Sequence, residues 1–489
     1  LTMRDASKTK GLITITLLCC LFIYLLPNFD VLPDRRVPRD EATDTKLHCV
    51  LPKPVPTNHN VVVVTAPPKQ KSNKSQPEVS FSVDENLTLS VAAPGSEFAC
   101  VYQLILWSHD KFRFQLGPWS ENFTQTVQLP NEAEHVRLFC TDKASHPLAD
   151  YLFEVTPKRK VLEIRNYKDA LSDKMTTRIS AQNSSVLLIL VNGLRQLDFV
   201  SSMKRTYGVL MTELQSIGMN YHSQHVFTKF YNMFPILKGR PARTARTSSP
   251  NKTEAANEFI WEKFSRQGYV TFSSEDSPED GTLSFNLSRS RFPDFTSAPL
   301  VTAYNFLKSK VPSVKSALRP ESWLRNFHLE NVKMLFDLFP ERPIFSFVHF
   351  SRRRRSSQGT TLDDELSTFL SSMKSSGHLD NTLVFLLSDS SKYHLVEQPR
   401  SLHVLPLYIY LPSTFVREFP DLVQNLKDNA DTITTHFDLY VTLVELSGQQ
   451  DNNVSVLAQG QSLFQKIPFH RSCGKVLVHS LLCSCQTSV

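Results

Sequence analysis

From about residue 180 to residue 450, short apolar runs alternate with stretches whose apolar residues recur at helical spacing. The run at 186–191 (VLLILV) precedes a helical period that we expect to continue to Ile217 and end at Gly218. A second helical period, ending at Gly377, lies between the runs at 343–350 and 382–389. Strands buried on both faces form continuous apolar runs, and the intervening helices cover them. The sequence therefore predicts an α/β fold with a mostly parallel central sheet flanked by helices over residues 180–450.

The same alternation includes further segments, namely the helix EFIWEKFSRQ ending at Gly268, the strands YVTFSSED and LPLYIYLP, and the helix TTHFDLYVTLVELSG. Residues 49–157 differ, because their short alternating runs, such as CVYQLILW and HVRLFC, are typical of antiparallel strands. We predict a small β-rich, cysteine-containing domain there and a cysteine-containing tail at 451–489.

Six cysteines follow the N-terminal region: Cys49, Cys100, Cys140, Cys473, Cys483 and Cys485. An even number suits disulfides formed in an oxidising compartment. The alternative is a zinc site, but the single residue between Cys483 and Cys485 is a tighter spacing than that of the usual zinc knuckle. We therefore predict disulfides, with the connectivity left open.

The amino terminus predicts membrane insertion. Residues 1–10 form a short basic tail, and an apolar segment at 11–27 ends in Pro27. Residues 28–48, rich in Pro, Asp and Arg, resemble a stalk. No small-residue cleavage site follows the apolar segment, so we expect an uncleaved signal-anchor and a single-pass type II membrane protein; the alternative is a cleaved signal peptide and a secreted protein.

Seven N-x-S/T sequons all lie on one side of this segment, at Asn73, Asn86, Asn122, Asn183, Asn251, Asn286 and Asn453. They predict a glycoprotein whose folded part is lumenal or extracellular. The net charge of +7 is concentrated in Arg352–Arg355 rather than spread along a face, which argues against nucleic acid as a partner. The sequence also lacks a Gly-rich phosphate loop, a G-x-S-x-G elbow and an H-E-x-x-H helix.

Polar residues follow several of the predicted strands at the edge where an α/β sheet usually carries its site. They are Asn192, Gly193, Glu275, Asp276, Asp389 and Ser390. Each alone is more typical of a helix cap or a turn than of a ligand.

Several ordered segments, including GYVTFSSEDSP, LVFLLSDSS and the closing CSC, resemble the family named domain of unknown function 229. That family is similar to the sulfatase and alkaline phosphatase superfamily. The resemblance implies divalent metals held by Asp and His at strand ends, with a Ser, Thr or modified Cys nucleophile that attacks phosphorus or sulfur.

The chain departs from that pattern at most of the expected positions. Asn192 stands where the family has a carboxylate, and Lys229, next to Thr228, stands at the nucleophile position. Asp389 is retained, but Ser390 replaces the neighbouring His, and Arg352–Arg355 occupy the place of another His. A neutral or cationic pocket disfavours a divalent ion. We therefore predict a catalytically inactive binding or structural ectodomain without a cofactor.

Two readings stay open beside this one. Lys229 and the arginine run could hold a sulfate or phosphate group of an anionic glycan or lipid, although a solvated loop or a processing site is the more usual explanation of such a run of arginines. Alternatively, the chain is a metal-dependent ester hydrolase with a rearranged site, in which Thr228 attacks and zinc, calcium or magnesium is bound. Its ligands would come from Asp389, His349, His394 and His403, with His436 also near.

Overall fold

The computed structural model describes residues 49–50, 79–92, 97–108, 113–172, 184–225, 229–241, 258–277, 292–310, 321–351, 361–390, 404–448, 460–469, 471–478, 482–483 and 486–487. Residues His48–Val489 form one compact unit. The predicted anchor at 11–27 and the stalk at 28–48 lie outside the described residues. No helix among the residues just given is long and apolar enough to cross a membrane.

The amino-terminal part of the described chain is made of antiparallel strands, as the alternating pattern predicts. These strands are β1 (Cys49–Val50), β2 (Ser80–Val83), β3 (Thr88–Ala92), β4 (Phe98–Ser108), β5 (Arg113–Trp119), β6 (Thr126–Gln128), β7 (His135–Asp142) and β8 (Pro147–Glu154). One sheet has the order β2-β3-β6 and the other β5-β4-β7-β8. Cys100 on β4 faces Cys140 on β7 and is joined to it by a disulfide inside their shared core.

Strands and helices alternate through the remainder of the chain. Up to residue 338 these are α1 (Lys158–Ser172), β9 (Ser185–Val191), α2 (Gln196–Ser202), α3 (Lys204–Gly208), β10 (Ile217–Gly218), β11 (Tyr221–Ser223), α4 (Lys229–Lys238), α5 (Ile260–Arg266), β12 (Val270–Glu275), β13 (Phe295–Thr296), α6 (Ala298–Lys310) and α7 (Glu321–Leu338). They continue with β14 (Ile344–Phe350), α8 (Leu362–Ser375), β15 (Thr382–Leu387), β16 (Leu407–Tyr410), α9 (Ser413–Glu418), α10 (Pro420–Asp428), β17 (Ile433–Thr435), α11 (His436–Leu446) and β18 (Gln486–Thr487).

The central sheet has the order β10-β16-β15-β9-β14-β12-β13. Pairings from β15 through β9, β14 and β12 to β13 are parallel, whereas β16 is antiparallel to both β15 and β10. The predicted α/β architecture is thus confirmed, but the sheet is mixed. The apolar run LPLYIYLP correctly marked a buried strand; it carried no information on direction, because a strand buried on both faces looks alike in either orientation.

Helices pack on both faces of this sheet. Leu188 on β9 belongs to a core that includes residues of α4, α5 and α11. Its neighbours Leu187 and Ile189 belong to a second core, which includes residues of α2, α7 and α8. Because successive side chains of a strand point to opposite faces, this division shows that the sheet is the middle layer of three. The helix ends predicted at Gly268 and Gly377 are confirmed, and both glycines have φ near +80°.

The single helix predicted from Phe199 to Ile217 is wrong. The chain forms α2 and α3, then a π-helical turn at Val209–Glu213, and Ile217 lies in the strand β10. At the break after α2, the carboxylate of Asp363 accepts hydrogen bonds from the backbone N–H groups of Arg205 and Thr206. A tertiary cap of this kind starts a new helix inside a continuous helical period, and the spacing of apolar residues does not reveal it.

Candidate functional site

The carboxyl ends of the parallel strands meet at one edge of the central sheet. In register, His349 of β14 lies beside Leu190 of β9 and Glu275 of β12, and Leu190 lies beside Leu387 of β15. Residues just beyond these positions therefore share the edge. The structure brings Asn192 and Asp389 to it as predicted; Asn192 is 9% exposed and Asp389 is fully buried.

Asp389 is held at this edge by its neighbours on β9 and β15. Its Oδ1 atom accepts a hydrogen bond from Ser390 Oγ at 3.0 Å and a longer one from Gly193 N at 3.4 Å. Ser388 Oγ accepts from Leu194 N at 3.0 Å and donates to the carbonyl of Ser390 at 2.8 Å. Gly193 has φ +75°, which lets the chain turn back over the edge. Asp389 is thus hydrogen-bonded both to Ser390 and to the turn after β9.

His349 and Glu275 form a buried pair on adjacent strands. His349 Nδ1 lies 3.4 Å from Glu275 Oε2, and both residues are at most 4% exposed. Burial alone would lower the pKa of His349, but the hydrogen bond to Glu275 and the nearby carboxylates raise it above its ordinary value of 6.5. Those carboxylates are Glu275, Asp389 and Asp276. The surroundings of His349 at this edge therefore favour its protonated form.

The carboxylates change the expected electrostatics. The substitutions at Asn192, Lys229 and Ser390 predicted a neutral or cationic pocket, and that prediction counted Asp389 as the only acidic side chain. The structure adds Glu275, the last residue of β12, and Asp276, which follows it. Asp276 accepts a hydrogen bond from Ser351 N at 2.8 Å and so joins the ends of β12 and β14 instead of capping a helix.

Some buried polar atoms at the edge have no hydrogen-bond partner among the described residues. Asn192 Oδ1 and His349 Nε2 are two of them. Buried polar atoms usually have a partner, so each is a candidate contact for a ligand or water.

Two buried histidines, His222 and His436, form a hydrogen-bonded pair that contacts the backbone of Asp389. His222 Nε2 and His436 Nδ1 are 3.0 Å apart, His222 Nδ1 is 3.1 Å from Thr434 Oγ1, and His436 Nε2 donates to the carbonyl of Asp389 at 2.9 Å. Burial lowers the pKa of His436 to about 4 and that of His222 well below 6.5, so both rings are neutral near pH 7. His222 could not be recognised as a site residue from the sequence, because it lies in the three-residue strand β11 outside the main sheet.

Several predicted residues lie outside the described part of the chain. These are Thr228, Arg352–Arg355, His394, His403, Cys485 and the sequons at Asn73, Asn183, Asn251, Asn286 and Asn453. Lys229 begins α4, but its side chain is likewise outside the description, so the anionic glycan or lipid expected there stays a prediction. Asn86 and Asn122 are exposed. Cys473 is joined to Cys483 by a second disulfide, and Cys49 lies in β1.

A divalent metal, which the sequence resemblance implies, does not fit the side chains seen at the edge. Among the residues that the structure describes, no three His, Cys, Asp or Glu side chains are arranged to hold a metal ion. Asn192 supplies an uncharged amide, His349 is paired with Glu275 and Asp389 Oδ1 accepts two hydrogen bonds. The surroundings of His349 raise its pKa, which makes its ring a weaker metal ligand because a bound proton must first be lost.

Comparison with known proteins identifies the sequence family. The model of a family described as "Protein of unknown function (DUF229)" matches residues 65–489, as the sequence resemblance predicted. Among curated proteins, none matches the sequence.

Similar solved structures include a protein of the alkaline phosphatase superfamily from Vibrio parahaemolyticus, with 14% identity, coverage of 64% of this chain and 80% of that one, and a TM-score of 0.39. A phosphonate monoester hydrolase from Silicibacter pomeroyi has 13% identity, coverages of 58% and 77%, and a TM-score of 0.40. A lipoteichoic acid synthase from Listeria monocytogenes has 11% identity, coverages of 63% and 80%, and a TM-score of 0.36. At such scores these likenesses carry no argument about the chemistry of this chain.

Proposed function

The chain belongs to the DUF229 family of proteins of unknown function, and from that premise we propose that it is a non-catalytic, sulfatase-like ectodomain that binds or supports other molecules. The observation that carries the proposal is the His349–Glu275 pair at the carboxyl edge of the sheet. The carboxylates around this pair favour the protonated form of His349, and we infer that its charge takes the place of the metal that the resemblance implies.

The remaining side chains at this edge support the same conclusion. Ester hydrolysis of the kind implied by the resemblance needs a metal-activated nucleophile. Ser390 places a hydroxyl beside Asp389, but its Oγ donates to that carboxylate and the residue is fully buried. A hydroxyl in that position orders the turn after β15 and is not open to attack a substrate.

A hydrolase with a rearranged site is the second candidate. Asn192 Oδ1 and His349 Nε2 favour it, because both are buried and lack a partner among the described residues. With Asp389 and Glu275 close by, these atoms could contact a substrate or an ion after a rearrangement of the edge.

Turnover distinguishes the two candidates. Purified ectodomain is incubated with aryl phosphate, phosphodiester and aryl sulfate substrates, each with zinc, manganese, magnesium or calcium. We expect no hydrolysis above the buffer rate, and the same result for Asp389→Ala. Hydrolysis by the wild type that Asp389→Ala abolishes, while Asp421→Ala on the exposed face of α10 does not, contradicts the proposal and supports the hydrolase.

We also propose that the protein is a membrane-anchored glycoprotein of the secretory pathway. The two disulfides support an oxidising compartment. Asn86 and Asn122 are exposed sequons and thus open to modification. Expression in cells tests this: digestion with an N-glycosidase should lower the apparent mass, and the protein should resist extraction from membranes by alkaline carbonate. A protein with unchanged mass in the soluble fraction contradicts it.

A further inference from the structure

A cavity of about 360 Å³ lies away from the sheet edge, between the β-rich part of the chain and the segment before α6. The end of strand β4 forms one wall of it. Leu104 is the last residue of β4 in register with β7, and β4 continues beyond it to Ser108. The volume is near the lower end of the range of about 300–1,000 Å³ typical of small-molecule sites. It suits a ligand of one ring.

Polar atoms without partners point to a ligand there. Trp107 Nε1 is buried and makes no hydrogen bond within the described residues. The same holds for His135 Nδ1 and Glu154 Oε1, which are 3.5 Å apart in a smaller adjoining space of about 20 Å³. The side chains of His135 and Glu154 are only 11% and 13% exposed. Buried donors and acceptors without partners are costly unless a ligand or water completes them.

Three charged side chains of the cavity wall, Glu134, Lys160 and Asp294, form ion pairs. Lys160 forms an ion pair with Glu134, and Lys168 Nζ lies 2.9 Å from Asp294 Oδ2. The distance between His135 and Glu154 would suit a third ion pair. Burial opposes it, since it lowers the pKa of His135 to about 3 and raises that of Glu154 to about 8. Both groups are neutral near pH 7. The exposed Glu132 also lines the cavity.

We propose that this cavity binds an uncharged sugar ring. Trp107 offers an indole donor, His135 offers a ring nitrogen, and apolar side chains such as Leu106 and Pro293 complete the wall. A sugar presents hydroxyl groups that both donate and accept, together with apolar C–H faces that pack on aromatic rings. An anionic ligand would need a free cation, and Lys160 is committed to Glu134. The proposal does not depend on the sheet-edge site.

Saturation-transfer NMR on the folded ectodomain tests it. The probes are glucose, galactose, mannose, xylose and N-acetylglucosamine, each as the free sugar and as the methyl glycoside, at about 10 mM for an affinity on the order of 1 mM. We expect signal transfer to at least one sugar. Binding of the free sugar alone identifies a free monosaccharide as the ligand, whereas binding of the glycoside identifies the end of a glycan.

Trp107→Phe is the diagnostic variant, because it removes the indole N–H and keeps an aromatic ring against Phe292. We expect it to weaken binding about three- to tenfold, the effect of one lost hydrogen bond. Trp119→Phe is the matched control, since Trp119 lies on β5, is 44% exposed and does not line the cavity. The affinity of this variant for the sugar should equal that of the wild type. No transfer to any sugar by folded wild type, or equal binding by Trp107→Phe, overturns the proposal.

Discussion

Glu154→Gln should abolish a component of the pH dependence of stability. Glu154 closes β8 beside His135, and its Oε2 atom accepts a 2.7 Å hydrogen bond from Asn331 Nδ2. Burial raises the pKa of Glu154 from 4.5 to about 8, although the positive charge of Lys160 and the Asn331 hydrogen bond oppose the rise. The folded protein therefore holds this carboxyl protonated at neutral pH. A glutamine resembles that protonated form in size and charge and can still accept from Asn331.

The magnitude follows from the difference between the folded and unfolded pKa values. Between pH 4.5 and about 8 the folded state keeps a proton that the unfolded state has released, so the free energy of unfolding falls as the pH rises. The slope is about 1.4 kcal/mol per pH unit, flattening near the folded pKa. From pH 6 to pH 8 the expected loss is about 2 kcal/mol, an upper bound if water enters the site on ionisation.

Urea unfolding at pH 6, 7 and 8, followed by tryptophan fluorescence, measures this. Relative to the wild type, Glu154→Gln should gain about 2 kcal/mol between the lowest and the highest pH. The contributions of other titrating groups are the same in both proteins and cancel in the comparison. His349 is one of them, since its raised pKa also makes the free energy of unfolding fall as the pH rises through it. Glu330→Gln, at an exposed carboxylate on α7, is the control and should show a constant difference. A difference for Glu154→Gln that does not vary with pH refutes the reasoning.

Three further variants probe the folded framework. Arg471→Met should lower the free energy of unfolding in urea by about 3–5 kcal/mol. Arg471 donates two 2.8 Å hydrogen bonds to the fully buried Asp438, whose charge would lose its counter-ion; an unchanged midpoint contradicts this. Gly460→Ala should lower the thermal midpoint, since a Cβ there would overlap backbone atoms in the first turn of α11, and a wild-type melting curve would show that this contact gives way. Replacing Cys100 and Cys140 together by Ala should cost about 2–4 kcal/mol under oxidising conditions. Full reduction of the wild type should cost at least as much, because it also opens Cys473–Cys483, and stability that is insensitive to both changes argues against the disulfide.

The α/β alternation could be read from the sequence because its strands are buried on both faces. The run 186–191 is almost wholly buried in β9, and such runs differ visibly from the helical periods beside them. Strand direction and helix breaks could not be read. The antiparallel β16 looks like its parallel neighbours, and the break between α2 and α3 is stabilised by Asp363, more than 150 residues away in sequence.

The candidate site could be predicted in position but not in charge. Asn192 and Asp389 follow apolar runs, so the rule for strand ends located them. Glu275 and His349 were each ambiguous alone, since a carboxylate after a strand is typical of a turn. Their pairing depends on the register between β12 and β14, which becomes visible only in the folded sheet. His222 was missed for the same reason, because its partner His436 lies 214 residues further along the chain.

Metal content tests the central claim most directly. The protein, expressed with zinc, manganese, magnesium and calcium and then dialysed against metal-free buffer, is analysed by inductively coupled plasma mass spectrometry. Because the surroundings of His349 favour its protonated form and Asn192 brings no charge, we predict far less than one ion per chain. One tightly held ion per chain, lost in both His349→Ala and Asp389→Ala while these variants stay folded, would contradict the account.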